Sequence, residues 1–188
     1  MKKMHNFANV IDMPLIKVEQ DQFVWETVPP SELHCMIGAI NHLLKLARKF
    51  LERNGLKEEL WKWCDGKGIT RWGYNGKNKL DGNNTSQFLR EIDGLASANW
   101  FPSAAIPIQD CLQAFQDIKD KCFGWILEDG WKKSIQTFTA MFAELQEYAA
   151  MSLGLTLTVT SKIHVVSCHL ETFLNKVCNN VFVTYFYP

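Results

Sequence analysis

The sequence predicts an all-α (mainly α) domain: helices packed around one core, with a long Gly/Asn-rich loop and at most minor β structure near the termini. Three observations carry that expectation. Apolar residues recur at three- and four-residue intervals through most of the chain. Strand-like and helix-like segments do not alternate, which argues against a parallel sheet. Apolar residues make up 47% of 188, enough for one sizeable core in one domain.

The elements follow in order. Residues 1–30 lack periodicity and carry Pro14, Pro29 and Pro30; they read as an extended segment with a short strand near Phe23–Trp25. Ser31 is a candidate N-cap. Ile37, Ile40, Leu43, Leu44, Leu46, Ala47, Phe50 and Leu51 then trace a broad helical stripe that ends near Asn54-Gly55. A short helix is expected over Lys57–Trp63. Residues 65–84 are rich in Gly and Asn and read as a loop, and loops of that length are functional or mobile. A helix over Thr85–Ile92 follows, with Thr85 or Ser86 as its cap.

Pro102 and Pro107 precede a helix over Ile108–Phe123, with Gly124 as its stop. The next runs from Trp131 to Leu153 and ends at Gly154. Thr156–Thr160 has strand composition, while Thr160 or Ser161 could equally cap a last helix over Lys162–Val177. The organisation expected is an N-terminal segment (1–30), a helical domain (31–178) and an apolar, β-prone C-terminal tail (179–188).

Lys plus Arg equals Asp plus Glu, 20 against 20. A neutral chain is a poor candidate for strong duplex binding, although a local basic stretch remains compatible with it. No run approaches the roughly 20 apolar residues that span a bilayer, and no signal-peptide pattern follows Met1-Lys2-Lys3. The expectation is a protein without membrane association, placed inside the cell in nucleus or cytoplasm. The six cysteines, Cys35, Cys64, Cys111, Cys122, Cys168 and Cys178, form no C-x-x-C pair and read as reduced thiols, several of them in the core. The sequons at Asn83 and Asn84 then stay unmodified.

Several segments share their order and spacing with one family. They are Val28-Pro29-Pro30-Ser31-Glu32-Leu33-His34-Cys35-Met36-Ile37-Gly38, Tyr74-Asn75-Gly76, Asp81-Gly82-Asn83, Phe88-Leu89-Arg90-Glu91-Ile92-Asp93, Phe115-Gln116-Asp117-Ile118, and Thr160-Ser161-Lys162-Ile163-His164 through His169-Leu170. The series resembles the C-terminal helical part of animal transposon-encoded, transposase-like proteins. That resemblance implies an RNase-H-like ancestry, in which carboxylates from separate segments hold two metal ions for strand transfer. It also implies that the family's first aspartate would precede residue 1 and that its last acid would follow the final helix. Glu32 is the one carboxylate in a matching motif where a core acid is expected. A two-metal site needs more, so no catalytic residues, no cofactor and no nuclease activity are expected of this chain.

Two places carry candidate chemistry. Lys62, Lys67, Arg71, Lys77 and Lys79 interleave with Trp61, Trp63, Trp72 and Tyr74 in the Gly-rich stretch. Aromatic faces stack bases and cations neutralise phosphates, so Lys62, Lys67, Arg71, Trp72, Tyr74, Lys77 and Lys79 form a candidate nucleic-acid surface. The alternative is that the tryptophans anchor the loop and the lysines are solvated. His164 and Cys168 are four apart on a helix, with His169 adjacent, and together suit a metal. Cys178 or His34-Cys35 would have to complete such a site; the alternative is a packed helix with a small apolar Cys. A Cys–His nucleophile has no feature that singles out one cysteine. Glu32 suits a helix N-terminus, with His34 half-buried one turn in.

The function expected is a non-catalytic, transposon-derived module that binds DNA, RNA or a protein partner. The alternatives are a fragment of a DDE-type transposase without independent activity, or a relic structural domain without a ligand.

Overall fold

Ser31 opens the first helix as its sequence suggests. Its hydroxyl accepts from the His34 N–H at 3.5 Å, which satisfies a donor that the first turn would otherwise orphan. The computed structural model that shows this describes residues 31–71, 79–123 and 126–179. The extended segment expected over 1–30, the Gly124 stop and the tail beyond Asn179 lie outside the described residues. Within them the protein is mainly helical and has no strand.

Helix α1 (Glu32–Arg53) buries Ala39, Ile40, Leu43, Leu44, Ala47 and Leu51 on one face. It stops where the Gly55 backbone turns to φ 70°, a conformation that glycine adopts without a Cβ clash. Helix α2 (Lys57–Gly66) buries Leu60, Trp61 and Cys64.

The next helix corrects the sequence reading. Helix α3 (Gly82–Arg90) begins earlier than Thr85, and its cap is Asp81. The Asp81 carboxylate accepts from the Asn84 N–H and from the Asn84 side-chain amide, both at 2.9 Å. Those bonds also hold the Asp81 carboxyl below its usual range. Asp81-Gly82-Asn83-Asn84 has turn composition, but an acceptor-only side chain at the positive end of a helix makes it a first turn. Thr85 is wholly buried inside the helix instead.

A one-turn helix, α4 (Asp93–Ala96), and a 3-10 turn at Ser103–Ala105 lead into α5 (Ile106–Cys122). Pro107 sits in its first turn, where a missing N–H costs nothing. Helix α6 (Trp131–Met151) returns antiparallel to α5. The Tyr148 hydroxyl near its end donates to Ala104 O at 2.9 Å, and Cys122 Sγ at the end of α5 lies 4.0 Å from Trp131 O at its start. Phe115 and Phe138 meet edge-on between the two helices, with ring centres 5.2 Å apart. Phe142 lies tilted against Phe138, with ring centres 6.0 Å apart.

Residues 155–160 follow Gly154, whose backbone turns to φ 58°, and pair with no strand among the described residues. Leu155 and Leu157 point inward while Thr156 and Thr158 face out, so the alternation of a strand is present without its ladder. Side chains and a helix end satisfy this backbone instead. Leu155 N–H donates to Ala149 O, the Gln146 amide to Leu157 O and the His42 ring to Thr158 O.

Thr160 then caps the last helical stretch, accepting from the Ile163 N–H. This stretch is α7 (Ser161–His164), a π-helical turn (Val165–His169) and α8 (Leu170–Asn179). Helix α1 packs against α2, α3, α5 and α7, and every helix among the described residues contributes to one continuous core. No helix among the described residues is long and apolar enough to cross a membrane.

Candidate functional site

The basic, aromatic stretch divides between α2 and the chain that follows it. Each cation that continues α2 already has an acidic partner. Lys62 Nζ meets Glu59 at 2.7 Å, Lys67 Nζ meets Glu91 at 2.8 Å, and Arg71 meets both Asp65 oxygens at 3.0 and 3.1 Å. The Arg71 guanidinium also lies 4.9 Å over the ring of the buried Trp61, a cation–π arrangement. Trp63 packs edge-on against Phe88. Both tryptophans therefore anchor the surface from below. Lys79 is exposed. Trp72, Tyr74 and Lys77 lie outside the described residues.

The two flanks of segment 72–78 are fixed to different helices. On the incoming side, Thr70 N–H donates to Asn84 Oδ1 at 2.7 Å, and the Gln87 amide donates to Lys67 O at 2.6 Å. On the outgoing side, Asn41 in α1 bonds the Leu80 backbone twice: its Oδ1 accepts from Leu80 N–H, and its Nδ2 donates to Leu80 O, both at 2.9 Å. The sequence reading missed Asn41, Asn84 and Gln87. The available signal was Asn41 itself, a polar residue among the apolar positions of α1.

Exposed ion pairs of this kind contribute about 0–1 kcal/mol. They hold the cations locally, and a phosphate could replace each carboxylate at small cost. With the pairs intact, the charges of Lys62, Lys67 and Arg71 are each matched by a carboxylate, so these three cations present no excess positive field.

At the second place, the π turn rearranges the expected contacts. His164 Nε2 lies 3.2 Å from His169 Nε2, with the rings nearly perpendicular. Cys168 is exposed. No group of three or more His, Cys, Asp or Glu side chains among the described residues could hold an ion together. His34 is exposed, not half-buried, with Nδ1 2.9 Å from Ser31 Oγ. Glu32 occupies the first turn of α1, as its charge suggests.

The remaining described cysteines are packing groups. Cys35, Cys64, Cys111 and Cys122 are buried. Burial pushes the thiols of Cys64, Cys111 and Cys122 up to about 12, and it raises Cys35 as well. A thiol in that range is protonated at neutral pH and is a poor nucleophile.

No family model, no curated protein and no solved structure matches the chain.

Proposed function

We propose that the chain is a non-catalytic, transposon-derived helical module that acts by binding, with single-stranded nucleic acid as the ligand of the surface between α2 and α3. The kinship rests on the ordered sequence motifs. The observation that supports the binding surface is the double anchoring of segment 72–78. Helix α3 holds Lys67 and Thr70, and α1 holds Leu80. A segment that carries Trp72, Tyr74, Lys77 and two glycines, held at both flanks by helices, is the kind of element that carries recognition on a rigid scaffold. Lys67, Arg71 and Lys79 stand at those flanks.

The acidic partners of Lys62, Lys67 and Arg71 favour a second reading, in which this edge is structural and the domain is a relic or docks a protein.

Fluorescence anisotropy with labelled single-stranded DNA and RNA separates the two. The first reading expects binding whose logarithmic salt slope is about −2, from roughly 0.7 per cation for three flanking cations. It also expects Lys67→Glu and Arg71→Glu each to weaken binding at least tenfold. Absence of binding at low salt, or binding indifferent to both reversals, leaves the second reading.

A further inference from the structure

The π turn at Val165–His169 is the one irregularity inside the last helical stretch. Its defining bond runs from Leu170 N–H to Val165 O, five residues back. In a regular α-helix, residues five apart are rotated about 140° around the axis and cannot meet. The wider π turn brings them over one another. It therefore creates the His164–His169 contact and leaves Cys168, four residues from His164, outside it. Single π turns inside α-helices recur at functional sites, where they re-aim side chains.

The distances within the pair suit a shared ion. Zinc–imidazole bonds of about 2.0–2.1 Å, drawn to two nitrogens 3.2 Å apart, subtend about 103°. That lies close to the tetrahedral angle. Rings whose lone pairs converge on one such ion have centres about 5 Å apart. The observed separation is 4.9 Å. Both nearest atoms are Nε2, so two neutral rings carrying their protons on Nδ1 would offer both lone pairs to the same point.

We propose that His164 and His169 form a two-nitrogen chelate for a borderline first-row divalent cation such as Zn2+, with further ligands completing its coordination. Three-ligand metal sites need a further side chain that the described residues do not supply. Two imidazoles alone bind such an ion more weakly than the four ligands of a structural zinc centre. Imidazole pairs suit Zn2+, Ni2+ and Cu2+ over Mg2+ or Ca2+. The site is independent of the surface between α2 and α3, and each can fail without the other.

The test is calorimetric titration of the whole chain with Zn2+ in a non-coordinating buffer, with a thermal melt on the same samples. The expected result is one ion per chain at this site and a melting temperature raised by Zn2+ but not by Mg2+. His164→Gln and His169→Gln should each lower the affinity at least tenfold, and the double variant little further, while circular dichroism stays unchanged. His34→Gln and Cys168→Ser should bind as the unaltered chain does. Zinc affinity unchanged in both His164→Gln and His169→Gln would overturn the assignment, as would loss of binding in Cys168→Ser. A chain that takes up no Zn2+ would reduce the pair to a hydrogen bond within the π turn.

Discussion

Replacing Asn41 with alanine should detach one flank of segment 72–78 and destabilise the protein by about 3 kcal/mol. The side chain makes two bonds with the Leu80 backbone and a third with Ile37 O, all at 2.9 Å. A side-chain hydrogen bond contributes about 0.5–1.5 kcal/mol net, and a buried group left unpaired costs roughly 1–3 kcal/mol. Leu80 is 1% exposed, so its N–H and C=O would lose their partners where water has poor access. Asn41 itself is half-buried, which keeps the sum near the middle of the range. For a chain of this size about 3 kcal/mol corresponds to roughly 6–12 °C in Tm. Urea denaturation gives the free energy, and amide exchange at Leu80 reports the local release. Asn41→Asp keeps an acceptor for the Leu80 N–H but sets a carboxylate against Leu80 O, so it should be no milder at neutral pH. Asn54→Ala, which removes one bond to Phe50 O at an exposed helix end, should cost under about 1 kcal/mol. An Asn41→Ala protein within about 0.5 kcal/mol of the parent would refute the anchoring role.

Two further outcomes follow from the core. Phe138→Ala should cost about 3–5 kcal/mol in urea denaturation, because a wholly buried ring leaves its edge contact with Phe115 and its tilted contact with Phe142. Native-state alkylation at mild pH, mapped by mass spectrometry, should label Cys168 and spare Cys35, Cys64, Cys111 and Cys122. The same burial makes stability fall in alkali. Thiols held near 12 in the fold, against 9.0 when unfolded, contribute stability that is complete below about pH 9 and is lost as pH rises towards 12. Urea midpoints at pH 8 and pH 10.5 check that sign.

The helical class was legible because burial in this protein follows period. The stripe read from Ile37 to Leu51 is, apart from the half-buried Ile37, the face that α1 buries, and Ser31 and Thr160 cap as their side chains suggest. The misreadings share a cause: side chains took over work usually assigned to the backbone. Asp81 converts a turn-like tetrapeptide into the first turn of α3. At Leu155–Thr158, inward and outward residues alternate as in a strand. Yet Gln146 and His42 supply the hydrogen bonds that a neighbouring strand would give. Composition records the alternation and cannot record which partner answers it.

The candidate surfaces were legible in residue type and not in pairing. Lys67 and Glu91 are far apart in sequence and meet because the C-terminal ends of α2 and α3 approach each other. The basic count of the stretch therefore overstated its field, as counting one sign of charge does whenever the opposite sign returns from another element. At the last helix the error ran the other way. Spacing of four joins His164 to Cys168 on an α-helix, but a single π turn moves the meeting to spacing of five and selects His169. Pattern rules assume a constant period. Where the backbone departs from it, the residues that converge are set by the departure, and here the departure brings two imidazole nitrogens to 3.2 Å.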